Sequence, residues 1–337
     1  MRRFFCVLFS ALCLSACVPR VELAFMAVCL GVDAGAEGIT LTVKCPDYSG
    51  GDKKESAGYA VLSATGADWP RAVDALYEAA PVSPQFSQLR EIMISEDSFR
   101  RVPAERLLAL IDSLPGIRVH ALVTVCAGSA AGTVEKLKPE IGKRLSKYLD
   151  IALRHWEEQG AIPATSLSCA LRDIDGGWRD PVLAYTDGES YAGAYALGSA
   201  ESLLLTPEET QLCRLLRGES QAWRLQYAGH EYGAAARGSA KREVRNGALT
   251  LRLPVWITYS LYDAAPDPGA AEALRGEAEA LLRRLQAAGC DALGFGCAAV
   301  RSYATLPEWL QSGWRARFRE APLRVEVDAK TRQQPLL

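Results

Sequence analysis

Residues 290–330 read CDALGFGCAAVRSYATLPEWLQSGWRARFREAPLRVEVDAK, a stretch that places a turn, a helix and a strand in succession. Residues 270–288, just before it, repeat apolar side chains with a helical period and predict one long amphipathic helix. Trp309 and Trp314 share a broad helical face, which predicts packing of both rings against the final sheet. Residues 323–330 alternate apolar and polar side chains, as a half-buried strand does. This order indicates mixed α and β structure.

The turn in this stretch fits the looser Gly-x-Gly-x-x-Ala form of a dinucleotide-binding loop, from Gly294 to Ala299. Such a loop needs a strand before it and a helix after it, whereas a long helix precedes it here. We therefore predict a tight backbone turn and no cofactor, with one of the two glycines in need of a positive φ or a close backbone approach. The candidate turn and packing residues are Asp291, Gly294, Gly296, Trp309 and Trp314.

The rest of the chain also mixes strands and helices without a steady strand–helix alternation. Residues 23–33, 39–45 and 58–66 predict three successive strands in hairpin order, hence an antiparallel start. Asn246-Gly247 predicts another hairpin in the C-terminal half. The predicted fold class is α+β, multi-lobed, with mixed and largely antiparallel sheets and packed helices.

The amino terminus carries a separate signal. Arg2 and Arg3 precede an apolar run at residues 4–14, which has the length of a secretory signal core and is too short to span a bilayer. The sequence Leu-Ser-Ala-Cys then ends at Cys17 in the pattern of a bacterial lipobox, whose thiol accepts a diacylglyceryl group. We predict that residues 1–16 are a lipoprotein signal peptide and that Cys17 is the lipid anchor. The alternative is an ordinary secretory peptide with a chance cysteine.

Processing at Cys17 would remove two arginines and move the formal charge from −2 to about −4. Two or more acyl chains, palmitate among them, anchor a protein stably, because each buried methylene contributes about 0.8 kcal/mol. The expected location is therefore the outer face of a membrane. No later segment reaches about 18 uncharged apolar residues, so the sequence predicts no membrane-spanning helix.

Length and composition describe the remainder. The 337 residues exceed what one hydrophobic core usually holds, and the turn-rich residues 175–181 mark a break. We expect an N-terminal region at residues 17–180, formed of two lobes, and a C-terminal domain at residues 181–337. With 49% apolar and 23% charged residues the composition is that of a globular protein. The near-neutral charge, without a basic patch, excludes nucleic acid as the expected partner.

Few residues could carry chemistry. The chain has three histidines, and His230-Glu231 lacks the second histidine of a zinc protease motif because position 234 is Ala. No Gly-x-Ser-x-Gly elbow of a serine hydrolase occurs. Seven cysteines follow the lipobox at wide spacings, which does not indicate a disulfide framework, although a bridge between Cys290 and Cys297 is left open. We predict no metal and no enzymatic activity, and favour a binding or assembly role.

Several segments, taken together, are similar to one family. After Cys17, residues 21–47 carry an acidic residue, an apolar strand that ends in Gly-x-Asp, and the run Ile-Thr-Leu-Thr-Val. Residues 69–100 and 162–183 are similar to the family's middle parts, and residues 290–330 to its Asp-x-x-Gly-x-Gly turn, tryptophan helix and closing Val-x-Val strand. The chain thus resembles the Ger(x)C family, the C-subunit lipoproteins of spore germinant receptors.

The resemblance implies a non-enzymatic subunit, anchored by lipid at the outer leaflet of the spore inner membrane. It also implies three mixed α/β lobes built on antiparallel sheets, and two membrane-spanning receptor subunits as partners. A lipid tether raises the effective concentration of the partners, so a weak interface could suffice. The alternative is a lipid-anchored enzyme or solute-binding lipoprotein of the cell envelope. An enzyme would show polar groups that converge in a deep pocket, and a solute-binding protein two lobes with strand–helix alternation.

Overall fold

The computed structural model describes residues 25–47, 58–140, 144–219, 223–260 and 265–333. The predicted signal peptide and its Cys17 lie outside the described residues. No helix within the described ranges is long and apolar enough to cross a membrane.

Strands and helices are interspersed along the described chain. The strands are β1 (Phe25–Met26), β2 (Cys29–Gly35), β3 (Gly38–Asp47), β4 (Gly58–Gly66), β5 (Pro84–Gln85), β6 (Glu91–Ser95), β7 (Leu122–Cys126), β8 (Val182–Thr186), β9 (Tyr191–Ala196), β10 (Leu203–Leu205), β11 (Trp223–Tyr227), β12 (His230–Ala236), β13 (Lys241–Arg245), β14 (Ala248–Tyr259) and β15 (Leu323–Gln333). The helices are α1 (Trp69–Ala79), α2 (Glu96–Arg101), α3 (Ala104–Asp112), α4 (Ala130–Lys136), α5 (Leu145–Glu158), α6 (Leu167–Asp175), α7 (Pro207–Arg217), α8 (Pro268–Ala287), α9 (Gly296–Ala299), α10 (Leu306–Gln311) and α11 (Trp314–Glu320).

The larger sheet has eight strands in the order β10-β9-β8-β7-β6-β2-β3-β4. Strands β2, β6, β7 and β8 run parallel at its centre, and antiparallel pairs flank them on both sides. Because β6 is buried along its whole length, helices must cover both faces of the sheet. Leu76, Leu108 and Ile174 of α1, α3 and α6 pack on one face. Val134 and Leu149 of α4 and α5 pack on the other.

The end of β2 explains how α4 reaches the sheet. A Cβ at Gly31 would lie 3.2 Å from the carbonyl oxygen of Ala130, so glycine lets the helix approach the strand closely. Two residues later, Asp33 accepts hydrogen bonds from the backbone N–H groups of Ala130 and Ala131, each at 2.8 Å. The Gly-x-Asp ending of this strand therefore positions and caps a helix that lies about 100 residues further along the chain.

The smaller sheet is built around the long strand β14. Strands β12 and β13 pair with one edge of β14 in antiparallel fashion, and β15 pairs with the other edge in parallel. Asn246 and Gly247 both have positive φ, at 50° and 79°, which is the type I′ geometry of the predicted hairpin. Helices α7 and α8 cover the apolar face of this sheet. A third, two-stranded sheet pairs β1 with β5 in parallel, and the sheets with their helices confirm the α+β prediction.

The two sheets share part of one core. Val182, Ala194 and Leu205, from the last three strands of the larger sheet, belong to the cluster that fills the smaller one. The predicted boundary between residues 180 and 181 falls immediately before β8, so strands on both sides of it pair in the larger sheet. The division into an N-terminal region and a C-terminal domain stays a prediction.

Candidate functional site

Asp291 lies at the centre of a buried turn that follows α8. Its Oδ1 accepts hydrogen bonds from the backbone N–H groups of Gly294 at 2.9 Å and Phe295 at 2.8 Å. Its Oδ2 accepts from the N–H of Gly296 at 2.7 Å and from Nε1–H of Trp314 at 3.0 Å. The residue is 2% exposed. Burial raises the pKa of Asp291 to about 6, and the four donors act in the opposite direction by stabilising the carboxylate.

Two glycines give this turn its shape for different reasons. Gly294 has a φ of +76°, in the left-handed region that glycine occupies without steric conflict. Gly296 does not have a positive φ, but a Cβ there would lie 2.4 Å from the carbonyl oxygen of Trp178 and 2.8 Å from Nε1 of Trp314. Gly294 therefore provides a backbone conformation, and Gly296 provides the space for a close approach.

Asp180 joins this turn to the segment before β8. Its Oδ2 accepts the N–H of Asp291 at 2.8 Å, and its own N–H donates to the carbonyl of Asp291 at 3.1 Å. Its Oδ1 accepts from Nη2 of Arg315 on α11 at 2.9 Å. Burial raises the pKa of Asp180, and the cation of Arg315 lowers it. We call this arrangement of Asp180, Asp291, Gly294, Gly296, Trp314 and Arg315 the junction.

The segment at residues 175–181, predicted as a turn-rich break, is fixed at further points. Arg179 donates from Nε and Nη2 to the two carboxylate oxygens of Asp173, at 2.9 and 2.8 Å. Trp309 donates from Nε1 to the carbonyl of Gly176 at 3.0 Å. The charge-assisted two-point pair between Arg179 and Asp173 is among the stronger types of hydrogen bond in proteins. Side chains from α10 and α11 thus hold the segment against the C-terminal part.

The predicted tryptophans lie side by side in the core. The ring centroids of Trp309 and Trp314 are 5.8 Å apart, and Phe318 follows 6.0 Å from Trp314. Both tryptophans are almost fully buried, and both indole N–H groups donate hydrogen bonds within the chain. Buried tryptophans combine apolar burial with one satisfied polar group in this way, which stabilises the junction.

A groove opens beside the junction. Its polar part, of about 680 Å³, lies between α2, the start of α3 and the loop at residues 198–202. Its apolar part, of about 410 Å³, lies between α6, α10 and α11. Glu105, Ile174 and Arg315 line both parts, so the two are continuous. We call the two parts together the junction groove.

A second buried carboxyl lies in the larger sheet. Glu91 on β6 accepts hydrogen bonds from Oγ1 of Thr124 at 2.5 Å and from the hydroxyl of Tyr191, which is 2.7 Å from each carboxyl oxygen. Burial raises the pKa of Glu91 to about 7, and the hydroxyl donors lower it. The ring of Tyr191 stacks on Trp156 of α5 with centroids 4.4 Å apart. This carboxyl therefore links three strands and contacts α5 through Tyr191.

Within the described ranges, cysteines and histidines form no metal cluster and no disulfide. The seven cysteines in the described ranges are free thiols, so the bridge left open between Cys290 and Cys297 is not formed. Burial raises the pKa of both the Cys290 and the Cys297 thiols, although Cys297 is exposed as a residue. No group of three or more His, Cys, Asp or Glu side chains that could hold a metal ion occurs among the residues that the structure describes.

The structure brings five of the six predicted site residues together, and Cys17 lies outside the described residues. Three residues of the site were missed by sequence analysis: Asp173, Asp180 and Arg315. Asp180 and Arg315 bind each other across 135 positions, so their spacing gave no signal. Asp173 pairs with Arg179 only six positions away, but two charged residues at that spacing are too common to indicate a site. The one available hint was the pair Arg179-Asp180, two charged residues enclosed by Trp178 and Pro181 in a turn.

Two family sequence models match the chain. The one described as "Spore germination protein N-terminal domain" matches residues 21–187. The one described as "Spore germination B3/ GerAC like, C-terminal" matches residues 268–334. Asp180 lies in the first matched segment and Asp291 in the second, so the junction is built from both.

One solved structure, titled "Crystal Structure of the GerBC protein", is similar in fold. The TM-score is 0.54 at 14% sequence identity, over 90% of this chain and 96% of that chain. At this level of identity the similarity concerns the fold alone. The curated proteins contain no significant sequence match to this chain.

Proposed function

The chain belongs to the Ger(x)C family of spore germination proteins, and from this premise we propose that it is the non-enzymatic C subunit of a spore nutrient germinant receptor. In this role it assembles with two membrane-spanning subunits and takes part in germination signalling at the spore inner membrane. The observation that carries the proposal is the pair of family matches, at residues 21–187 and 268–334. The two matched segments are hydrogen-bonded to each other through Asp180 and Asp291.

The geometry of the junction supports an assembly role. Each oxygen of Asp291 accepts two hydrogen bonds from the chain itself, and both oxygens of Asp180 are also occupied. The two buried carboxylates of the junction are thus used to hold two segments together. A general acid or base needs an atom within reach of a substrate proton, which these oxygens do not offer.

We further propose that Cys17 carries the lipid anchor and places the folded part at the outer leaflet. Cys17→Ala should leave the fold intact and release the chain from the membrane fraction of spores, because the acyl chains are lost. The matched control is Cys297→Ala, which removes an exposed thiol and should leave the chain in the membrane fraction. Immunoblots of the membrane and extract fractions measure the partition. Retention of the Cys17 variant in membranes contradicts the anchor.

Deletion of the gene tests the receptor role. A strain that lacks this gene should lose the response to one nutrient germinant, while sporulation and germination by non-nutrient triggers remain normal. Release of dipicolinic acid after nutrient addition measures the response. A lipid-anchored enzyme or solute-binding protein of the envelope predicts instead a normal nutrient response in this strain. An unchanged response in a strain that also lacks every related receptor rules the proposal out.

A further inference from the structure

The junction groove has an apolar side that the fold leaves open. Trp309 and Trp314 line it, and Leu310 at its rim is 60% exposed. Leu306, one helical turn earlier on α10, is 53% exposed. Of the six large apolar residues that are exposed in the described ranges, two therefore lie on this one short helix. An exposed apolar stripe beside an apolar cavity is typical of an interaction surface.

The cations of the groove are already paired. Arg100 on α2 forms ion pairs with Glu96 at 2.6 Å and with Asp97 at 2.9 Å. Arg315, which lines both parts of the groove, pairs with Asp180 at 2.9 Å. These guanidinium groups therefore do not neutralise any further carboxylate of the groove.

Three carboxylates of the groove are left without a cation. Glu105, Asp175 and Glu201 line the groove, are exposed, and form no ion pair within the described part of the chain. Asp175 is the last residue of α6, where a negative charge meets the negative end of the helix dipole and destabilises the helix. The stability of the fold does not explain this aspartate, and the groove has an excess of unpaired negative charge.

We propose that the junction groove binds a basic amphipathic segment of a partner protein. One large apolar residue of that segment packs beside Leu310, and lysine or arginine residues lie against Glu105 and Asp175. The inference rests on the proposed function and deepens it, since it assigns the segment to one of the membrane-spanning receptor subunits. Apolar burial supplies the affinity, and the charge pairs fix orientation and speed association. A lipid tether makes even a weak contact of this kind sufficient.

Charge also argues against other occupants. A second copy of this chain that used the same surface would place like-charged carboxylates against each other, because a two-fold contact pairs identical patches. A bilayer of anionic lipids would be repelled for the same reason. A basic partner segment is the occupant that complements both the leucines and the carboxylates.

Site-directed photo-cross-linking in spore membranes tests this inference with the full lipid-bearing chain. A benzophenone amino acid replaces Leu310 in one variant and Ile151 in the other. Both residues are 60% exposed on helices, but Ile151 is on α5 and does not line the groove. We expect a cross-link from position 310 to one membrane-spanning subunit, at least tenfold stronger than from position 151. Resistance to limited proteolysis checks that both variants are folded.

Charge reversal adds a second readout. The double variant Glu105→Lys with Asp175→Lys should lower the cross-linking yield from position 310 at least tenfold. The neutral double variant Glu105→Gln with Asp175→Asn should lower this yield less. Glu158→Lys is the matched control, because Glu158 is exposed and ends α5 as Asp175 ends α6. It should leave the yield unchanged.

The failure of this inference can be told apart from the failure of the proposed function. A receptor subunit captured from position 151 but not from 310, or a second copy captured from 310, overturns the groove and leaves the receptor role in place. No capture from either position also overturns the groove. The receptor role itself falls only if, in addition, gene deletion leaves the nutrient response normal.

Discussion

Glu91 in the larger sheet and Asp291 at the junction are both fully buried acids, yet the chain surrounds them differently. Glu91 accepts its hydrogen bonds from two hydroxyl groups, on Thr124 and Tyr191. Asp291 accepts from three backbone N–H groups and one indole N–H. A hydroxyl rotates and can donate or accept, whereas an N–H group can only donate. The first site therefore tolerates both protonation states, and the second requires an acceptor.

This difference separates a group that titrates from a group that is structural. Burial raises the pKa of Glu91 to about 7 and that of Asp291 to about 6, so burial alone does not distinguish them. The donors do, because protonation of Asp291 places a hydrogen among four donors that point at it. We expect substitutions at the two positions to change the free energy of unfolding by different amounts and with a different dependence on pH.

Asp291→Ala should have the largest effect, a loss of about 4 kcal/mol in the free energy of unfolding. The substitution leaves four buried donors without an acceptor, and each unsatisfied buried group costs about 1–3 kcal/mol. Urea denaturation measures the loss. Asp187→Ala is the control, because Asp187 also accepts two backbone N–H groups, but in an exposed turn where water can replace it. Equal losses would contradict the structural role of Asp291.

Glu91→Gln should change how stability depends on pH. A carboxyl whose pKa is raised in the folded state favours folding at low pH, and its contribution is lost as the pH rises from about 4.5 to about 7. Relative to the Gln variant, the wild type should lose up to about 3 kcal/mol over this window. Burial raises the pKa of the nearby thiols Cys29 and Cys126, so both stay neutral over this window.

Parallel urea curves at pH 5 and pH 8 test this prediction. The gap, defined as the free energy of unfolding of the wild type minus that of the Gln variant, should fall from pH 5 to pH 8. A gap of constant size would mean that Glu91 does not change its charge over this range.

Gly296→Ala should reduce stability by about 2 kcal/mol, because its Cβ would lie 2.4 Å from a backbone oxygen and the turn must shift. Gly276→Ala on α8 is the matched control, since a Cβ there meets nothing within 4 Å. Alanine is the better helix former by about 1 kcal/mol, so this control should be neutral or stabilising. Thermal unfolding of both variants gives the comparison, and a stable Gly296 variant would refute the close approach.

Asp33→Ala should have the smallest effect, about 1 kcal/mol, because it removes the acceptor for two N–H groups at the start of α4. Asp33→Asn should lose less than Asp33→Ala, since one oxygen remains. Hydrogen exchange of the Ala130 and Ala131 amides reports on the cap directly. Unchanged protection in both variants would show that the strand ending is not what holds α4.

The sequence predicted several elements near the junction because their signals are local, but the single tryptophan helix was wrong, since Gly313 with φ of +63° separates α10 from α11. The alternation of apolar and polar residues predicted β15, and the helical period of apolar residues predicted α8. The pair Asn246-Gly247 predicted the hairpin between β13 and β14. The turn at Gly294 and Gly296 was also expected, since a positive φ and a close approach are properties of glycine itself. The partners of Asp291 could not be predicted, because Asp180 is 111 positions away.

Local chemistry thus determined many of the helices, strands and turns, and the sequence by itself carries the lipobox pattern that we predict at Cys17 and the family resemblance. Tertiary structure alone decided that residues 175–181 are hydrogen-bonded to the turn after α8 and to α10 and α11 instead of forming a loose break. It also decided which acids meet hydroxyl groups and which meet N–H groups. The reason is that a buried charge is stabilised by whichever donors folding places around it, and those donors come from segments that the chain order does not bring together.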